Sequence, residues 1–276
     1  VQTPAGNFLT DPNFSERCGP LGLVGPTRVH RPVFPLPALP RIDYLLLSHD
    51  HYDHCGLPTL RALERTHHFR AITPLANGRL LRRAGIARDR ITELDWWQRV
   101  SLAPGLEITL TPSRHWSNRL SGRRNARLWG GFYLTWNAHP TGGRSSPPLA
   151  SGEKLEERAE ATPDSRRVWF AGDTGYDPDL FRTIRARLGA PMLAMIPIGA
   201  YEPRWFMAPQ HCNPTEAVQI HRDVGAAESL AMHWGTWQLS DEGRDDPTRA
   251  LAAARIAADI RPEAFRVLAP GETIVR

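Results

Sequence analysis

Residues 45–54 read LLLSHDHYDH, an apolar run that gives way at once to three histidines and two aspartates. The apolar part reads as a strand covered on both faces. On extended chain, residues i and i+2 project to the same side, so His49 and His51 can reach one metal ion. Asp53 and His54 follow in the turn and can face a second ion. Three histidines with an interleaved carboxylate are hard to explain as packing, although a lone histidine is usually structural. Asp50 and Tyr52 alternate away from the others and read as supports for them. A chain built this way needs a fold in which a buried strand opens directly into a cleft.

Further β-prone runs recur at 106–111, 168–171, 193–196 and 229–232, and the first cluster's own strand spans 42–47. In the first of these, Leu106, Ile108 and Leu110 alternate with Glu107, Thr109 and Thr111, as in a strand with one buried face. Helices are punctuated between them. Asp177 with Pro178 starts one that Gly189 stops, Asn213 with Pro214 starts another that Gly225 stops, and a third follows Asp246 and Pro247 through an alanine-rich run. Strands alternating with helices predict an α/β layered fold. With 276 residues and 41% hydrophobic content, residues 1–276 are expected to form a single domain. The Gly-, Pro- and Ser-rich stretch 137–167 is expected to be a flexible insertion with a short helix near 153–161. The sequence begins inside what reads as a hairpin at 7–11.

The strand ends repeat the pattern of the first cluster. His115 follows the run at 106–111, Asp173 the run at 168–171 and His233 the run at 229–232, where open α/β sheets keep their ligand sites. Any one of these alone reads as an ordinary loop residue; three in register with the first cluster read as a site.

Composition excludes several classes. The net charge of +5 comes largely from scattered arginines, which favours anionic substrates only weakly, and no nucleic-acid reader motif is present. Cys18, Cys55 and Cys212 form no CxxC pair and are odd in number, which argues for a reducing compartment and against a disulfide framework. No apolar run approaches the ~20 residues a spanning helix needs. The expectation is a cytoplasmic protein, with peripheral contact at a membrane surface compatible with it.

The combination of SHDHYDH, PSRHW at 112–116, FAGDTGY at 170–176 and MHWGTW at 232–237 resembles the metallo-β-lactamase superfamily. Within it, LDWW at 94–97, IPIGAYEPRWFM at 196–207, QHCNPTEAVQIH at 210–221 and DPNFSERCGP at 11–20 resemble the phospholipase D enzymes that hydrolyse N-acyl-phosphatidylethanolamine and their bacterial relatives. The likeness covers nearly the whole chain outside the 137–167 insertion. It implies an αββα four-layer sandwich with metals at one edge between two sheets.

The same resemblance implies that His49, His51 and His115 hold one ion, that Asp53, His54 and His233 hold the other, and that Asp173 bridges them. The cofactor it implies is a pair of Zn2+ ions sharing a hydroxide, though this ligand chemistry also accepts iron or manganese. Asp53 is expected to orient the attacking water, and His211 to hydrogen-bond the substrate phosphate or assist the leaving group. His211 also reads as a plain histidine flanking the Asn213 cap. Tyr201, Arg204 and Trp205 could shape the entrance, and His221 reads as surface or packing. Relatives carry a strand with a Gly-His motif before the first hairpin, and the sequence starts after that point, so an N-terminal strand is expected to be missing.

Three functions remain open at this stage. The first is a phosphodiesterase of the phospholipase D type, acting on N-acyl phospholipids and calling for an apolar channel beside the metals. The second is a lactonase or esterase with the same metals, and the third is a non-catalytic metal-stabilised scaffold. The implied partners are a phospholipid or another small anionic ester and no nucleic acid.

Overall fold

The computed structural model describes residues 1–120, 122–137 and 165–275, and the backbone of 153–154. Its strands form two sheets. The first contains β1 (Gln2–Thr3), β2 (Gly6–Thr10), β3 (Tyr44–Leu46), β4 (Arg70–Pro74) and β5 (Ile91–Leu94) in that order. β1 and β2 are an antiparallel hairpin, and every later pair is parallel. Parallel neighbours need a crossover, and α1 (Leu57–His67) and α2 (Gly78–Arg83) supply two of them.

The second sheet has the spatial order β13-β12-β11-β10-β8-β7-β6-β9. Its strands are β6 (Gln98–Ala103), β7 (Leu106–Thr111), β8 (Gly131–Asn137), β9 (Glu153–Lys154), β10 (Ser165–Phe170), β11 (Leu193–Pro197), β12 (Glu228–Met232) and β13 (Phe265–Arg266). The β6, β7, β8 and β10 pairings are antiparallel, and those from β10 through β13 are parallel. The helices of this half are α3 (Pro178–Leu188), α4 (Arg204–Met207), α5 (Pro214–Val224) and α6 (Asp246–Ala257).

Side-chain alternation along these strands builds three cores. Leu46 and Ile72 of the first sheet meet Ile108, Leu110, Phe132, Leu134, Val168 and Phe170 of the second, which closes the two sheets face to face. Leu45, Leu47 and Ala71 point the opposite way, onto Leu60 and Leu63 of α1 and Leu80 and Leu81 of α2. Trp169, Ala194 and Ile196 point outward from the second sheet onto Phe181, Val218 and Leu251 of α3, α5 and α6. Helix, sheet, sheet, helix is the αββα order that the resemblance implied.

Two of the expected helices carry the caps that make them legible. The Asp177 side chain accepts from the backbone N–H groups of Asp179 and Leu180, and Asn213 with Glu216 forms a capping box. α1 has neither signal: Gly56 offers no side-chain cap, and the helix ends on His68 at φ 48°. The expected short helix near 153–161 is corrected at its start. Glu153 and Lys154 pair antiparallel with Arg99 and Gln98, because extending the edge of β6 satisfies backbone groups that the edge otherwise exposes. The rest of the 137–167 insertion, with His139, lies largely outside the described residues. Among the described residues no helix is long and apolar enough to cross a membrane.

Candidate metal centre

The side chains singled out in the sequence lie at the exits of β3, β7, β10 and β12, all at the same edge of the sandwich. Two close approaches make this possible. A Cβ on Gly172, at φ 63°, would lie 2.9 Å from the Gly130 carbonyl oxygen and 3.1 Å from Ser48, so the loop after β10 can press against the loop after β3. A Cβ on Gly199 would lie 2.1 Å from the His233 carbonyl oxygen, so the exits of β11 and β12 also touch.

Seven side chains fall into two adjoining groups: His49, His51 and His115, then Asp53, His54, Asp173 and His233, with the ligand atoms of each group within 4.8 Å of one another. In the first, His51 Nδ1 lies 3.0 Å from His49 Nε2 and 3.1 Å from His115 Nε2. In the second, Asp53 Oδ2 lies 3.2 Å from both His54 Nε2 and His233 Nε2. Asp173 Oδ2 stands between the groups, 3.0 Å from His54 Nε2, 3.3 Å from His233 Nε2, 3.8 Å from His115 Nε2 and 3.9 Å from His49 Nε2.

The outer hydrogen bonds decide which atoms carry lone pairs. His115 Nδ1–H donates to the Gln210 carbonyl, 3.0 Å away, which leaves Nε2 as an acceptor. His54 Nδ1–H donates to Asp11 Oδ2 at 2.7 Å, which leaves its Nε2 facing the carboxylates of Asp53 and Asp173. Ser48 Oγ–H donates to the same Asp11 oxygen, so Ser48 Oγ accepts from His49 Nδ1–H at 2.8 Å and His49 Nε2 is an acceptor as well. Acceptors thus face acceptors across the centre. At the centre itself, His54 Nε2 and Asp173 Oδ1 are buried without a hydrogen-bond partner, a pattern that calls for cations. A tetrahedral zinc with Zn–N bonds of about 2.0–2.1 Å spaces its nitrogens by roughly 3.3 Å, close to the separations in the first group. The residues fit metal binding.

Electrostatics separates the two groups. Burial, then the neighbouring imidazolium charges, holds His49 well below the usual histidine range; burial does the same to His115 and, less strongly, to His51. Burial also opposes charge on His54, but Asp173, Asp53 and Asp11 outweigh it and hold His54 well above that range. His233 is raised on the same balance. Asp53 and Asp173 stay well below the carboxylate range because facing histidines overcome their burial. The carboxylates thus favour charge on the imidazoles of the second group, and burial disfavours it in the first.

A second layer of contacts orders the loops. Asp50, fully buried, accepts from Asn118 N–H at 3.0 Å and pairs with Arg127 at 2.8 Å. Arg119 lies 3.9 Å above the Tyr52 ring and donates to the carbonyls of Asp50 and Cys55. Asp50 and Tyr52 therefore support the cluster, tying the loop of His49 to the loop that carries His115. Asp11 is the residue that sequence reasoning passed over. Its carboxylate also accepts from Ser48 N–H at 2.7 Å and so orients one histidine of each group. The available signal was its place directly after the strand at 6–10.

His211 lies beside both groups, its ring centroid 5.0 Å from that of His115 and 5.7 Å from that of His233, and burial lowers it to about 4. His221 is a packing residue: it is buried, with Nδ1 2.8 Å from Ser229 Oγ. Arg204 is tied down by Glu216 at 2.8 Å and by the carbonyls of Tyr201 and His211. Trp205 is 83% exposed and Tyr201 is buried, so of the three entrance candidates Trp205 is the one open to solvent. The cavity lined by His233, Trp234, Trp237 and Val29 holds about 30 Å³. That is room for a water; a second, open cavity of about 590 Å³ lies at Tyr201, Glu202 and Pro203.

A model of the beta-lactamase superfamily domain matches residues 6–144 and 158–234. An uncharacterised protein of Mycobacterium tuberculosis is 36% identical over 249 residues, 89% of this chain and 58% of its own length. The N-acyl-phosphatidylethanolamine-hydrolyzing phospholipase D 1 of Caenorhabditis elegans is 34% identical over 239 residues, 84% of this chain and 60% of its own. The chain thus spans 60% or less of the length of these relatives. Among solved structures, the isothiocyanate hydrolase from Delia radicum gut bacteria superposes with a TM-score of 0.70 at 18% identity, covering 100% of this chain and 95% of that one. At that identity the likeness speaks for the fold.

Proposed function

The chain belongs to the metallo-β-lactamase superfamily of metal-dependent hydrolases, and from that premise we propose that it is a phosphodiesterase of the phospholipase D type, cleaving N-acyl-phosphatidylethanolamine-like lipids. The observation that carries this is the position of Asp173, whose Oδ2 lies within 3.9 Å of a ring nitrogen from each ligand group and so can serve two ions at once. His49, His51 and His115 hold one ion in this reading, Asp53, His54 and His233 the other. The choice of bond rests on the 34% identity to the nematode phospholipase D.

Two zinc ions there would supply a water of near-neutral pKa and offset negative charge on an attacked phosphodiester. The remaining work falls to the protein. Asp53, kept ionised by His54 and His233, accepts a hydrogen bond from the attacking water and aims its lone pair. Held neutral at pH 7 by burial, His211 presents a ring N–H to a phosphate oxygen instead of acting as a charged acid.

Purified protein loaded with zinc, iron or manganese and offered an N-acyl phospholipid, a soluble aryl phosphodiester and a lactone panel tests this reading, together with elemental analysis. Release of phosphatidic acid, with about two metals per chain, is the expected result. Turnover of lactones alone would replace it with the esterase reading. A metal-loaded protein inert toward all three would favour a scaffold.

A further inference from the structure

The rim of the metal centre carries a surface that its chemistry does not use. Between Glu16 and Asp43 the chain has no acidic residue, but it has Arg17, Arg28, Arg31 and Arg41. Among the described residues, fourteen large hydrophobic side chains stand exposed, and six of them lie in residues 21–34: Leu21, Leu23, Val24, Val29, Val33 and Phe34. Leu23 is 71% and Leu21 59% exposed. A cluster of this kind on an ordered loop marks an interaction surface.

The loop is rooted on both sides of the second ligand group. At its start, Asn13 donates to the Tyr52 carbonyl at 2.7 Å and Phe14 N–H to Thr59 Oγ1 at 2.9 Å, beside His54. Further on, Val29 N–H donates to the Thr236 carbonyl at 2.8 Å, and the Arg28 guanidinium sits 4.4 Å above the Trp237 ring, three and four residues past His233. The exposed apolar residues therefore stand between the loops that carry His54 and His233. Arg17 spends its guanidinium on the Gly25 carbonyl, 2.9 Å away, so its charge has no carboxylate partner there. Arg41 is the exception, paired with Asp43 at 3.3 Å.

We propose that residues 17–34 form an interfacial docking loop for an anionic bilayer surface. Leu21, Leu23, Val24, Val33 and Phe34 enter the headgroup region, and Arg17 and Arg31 face lipid phosphates. Apolar insertion combined with unmatched basic charge is the pairing that an anionic lipid surface complements, and a second copy of this basic loop would repel it. Docking there sets the metal centre against the headgroup layer while the acyl chains stay in the membrane. This deepens the phosphodiesterase reading, yet vesicle binding can be read without any turnover.

The test is co-sedimentation of the full chain with phosphatidylglycerol vesicles, with phosphatidylcholine vesicles and without lipid, alongside hydrolysis of a soluble aryl phosphodiester. Wild type is expected to bind the anionic vesicles and to be released as salt rises. In Leu23→Asp/Val24→Asp the partition should fall by roughly tenfold or more, and in Arg31→Gln by about fivefold. Hydrolysis of the soluble diester should be unchanged in both variants, which shows that they fold. Equal binding of wild type and Leu23→Asp/Val24→Asp would overturn the proposal, as would indifference to lipid charge. A concentration-dependent dimer, lost in that variant with no vesicle binding, would assign the loop to self-association instead. Vesicle binding without hydrolysis of any phosphodiester would leave the docking loop standing and remove the phosphodiesterase reading.

Discussion

The two ligand groups differ in what surrounds them more than in distance. His49, His51 and His115 are three imidazoles that burial keeps neutral, with His51 Nδ1 about one ion's ligand spacing from a nitrogen of each of the other two. Asp53, His54, Asp173 and His233 pair two ionised carboxylates with two imidazoles that those carboxylates draw toward protonation. A dication entering the second group meets compensating charge at once, whereas one entering the first depends on the shared Asp173. The centre is thus asymmetric: the second group should fill first but in competition with protons, and the first should fill later without that competition.

Asp173→Ala attacks the comparison at its shared point. Both groups should lose metal, and hydrolysis should fall by roughly a thousandfold or more, beyond the loss of a single preorganised donor. Metal content and activity near wild type in this variant would end the two-ion assignment. Asp11→Asn should separate the groups instead. With the acceptor for His54 weakened, affinity in the second group should drop by about 10–100-fold, and the first, reached only through Ser48 and His49, should lose less. Competition with a chromophoric chelator measures both steps.

Protons give a third and gentler probe. His54 is raised in the metal-free protein, so an ion entering the second group at pH 7 must displace a proton. Affinity there should fall about tenfold per unit as pH drops below the raised value. Entry to the first group should release none near neutrality. Calorimetry in buffers of different ionisation enthalpy distinguishes the two steps, and equal proton release from both would erase the asymmetry.

Linkage carries the same signs into the stability of the metal-free protein. The depressed histidines His49, His51 and His115 cost stability as pH falls below about 6.5, since the unfolded chain protonates first. The raised His54 contributes stability that is present below that value and lost as pH climbs through its folded pKa. Ionised Asp53 and Asp173 contribute stability above about 3.9 that is lost on further acidification. The smallest expected effect is His221→Gln, which should leave both ions and their proton linkage in place, because His221 packs on Ser229 away from the centre.

Much of this was legible one segment at a time. Alternation at 106–111 predicted β7, the Asp177 and Asn213 caps predicted α3 and α5, and the apolar run into SHDHYDH predicted β3. The strands β4, β5, β6 and β8 carry weaker local signals, and α1 starts without a side-chain cap. The α/β pattern together with the resemblance led to the four layers. The three core clusters explain them physically, as odd and even residues of one strand serve different layers.

Local chemistry alone placed a metal cluster at 49–54, because neighbouring residues on extended chain cannot help sharing a face. Geometry between distant segments decided the rest. Asp11 reaches His54 across 43 positions, Asp173 stands between two groups drawn from four strand exits, and the tautomers follow from acceptors such as the Gln210 carbonyl, 95 positions from His115. Residue type determines which atoms can ligate. Only the packed sandwich determines which lone pairs are left to do so, since the outer acceptors of His54 and His115 come from segments the local sequence does not contain.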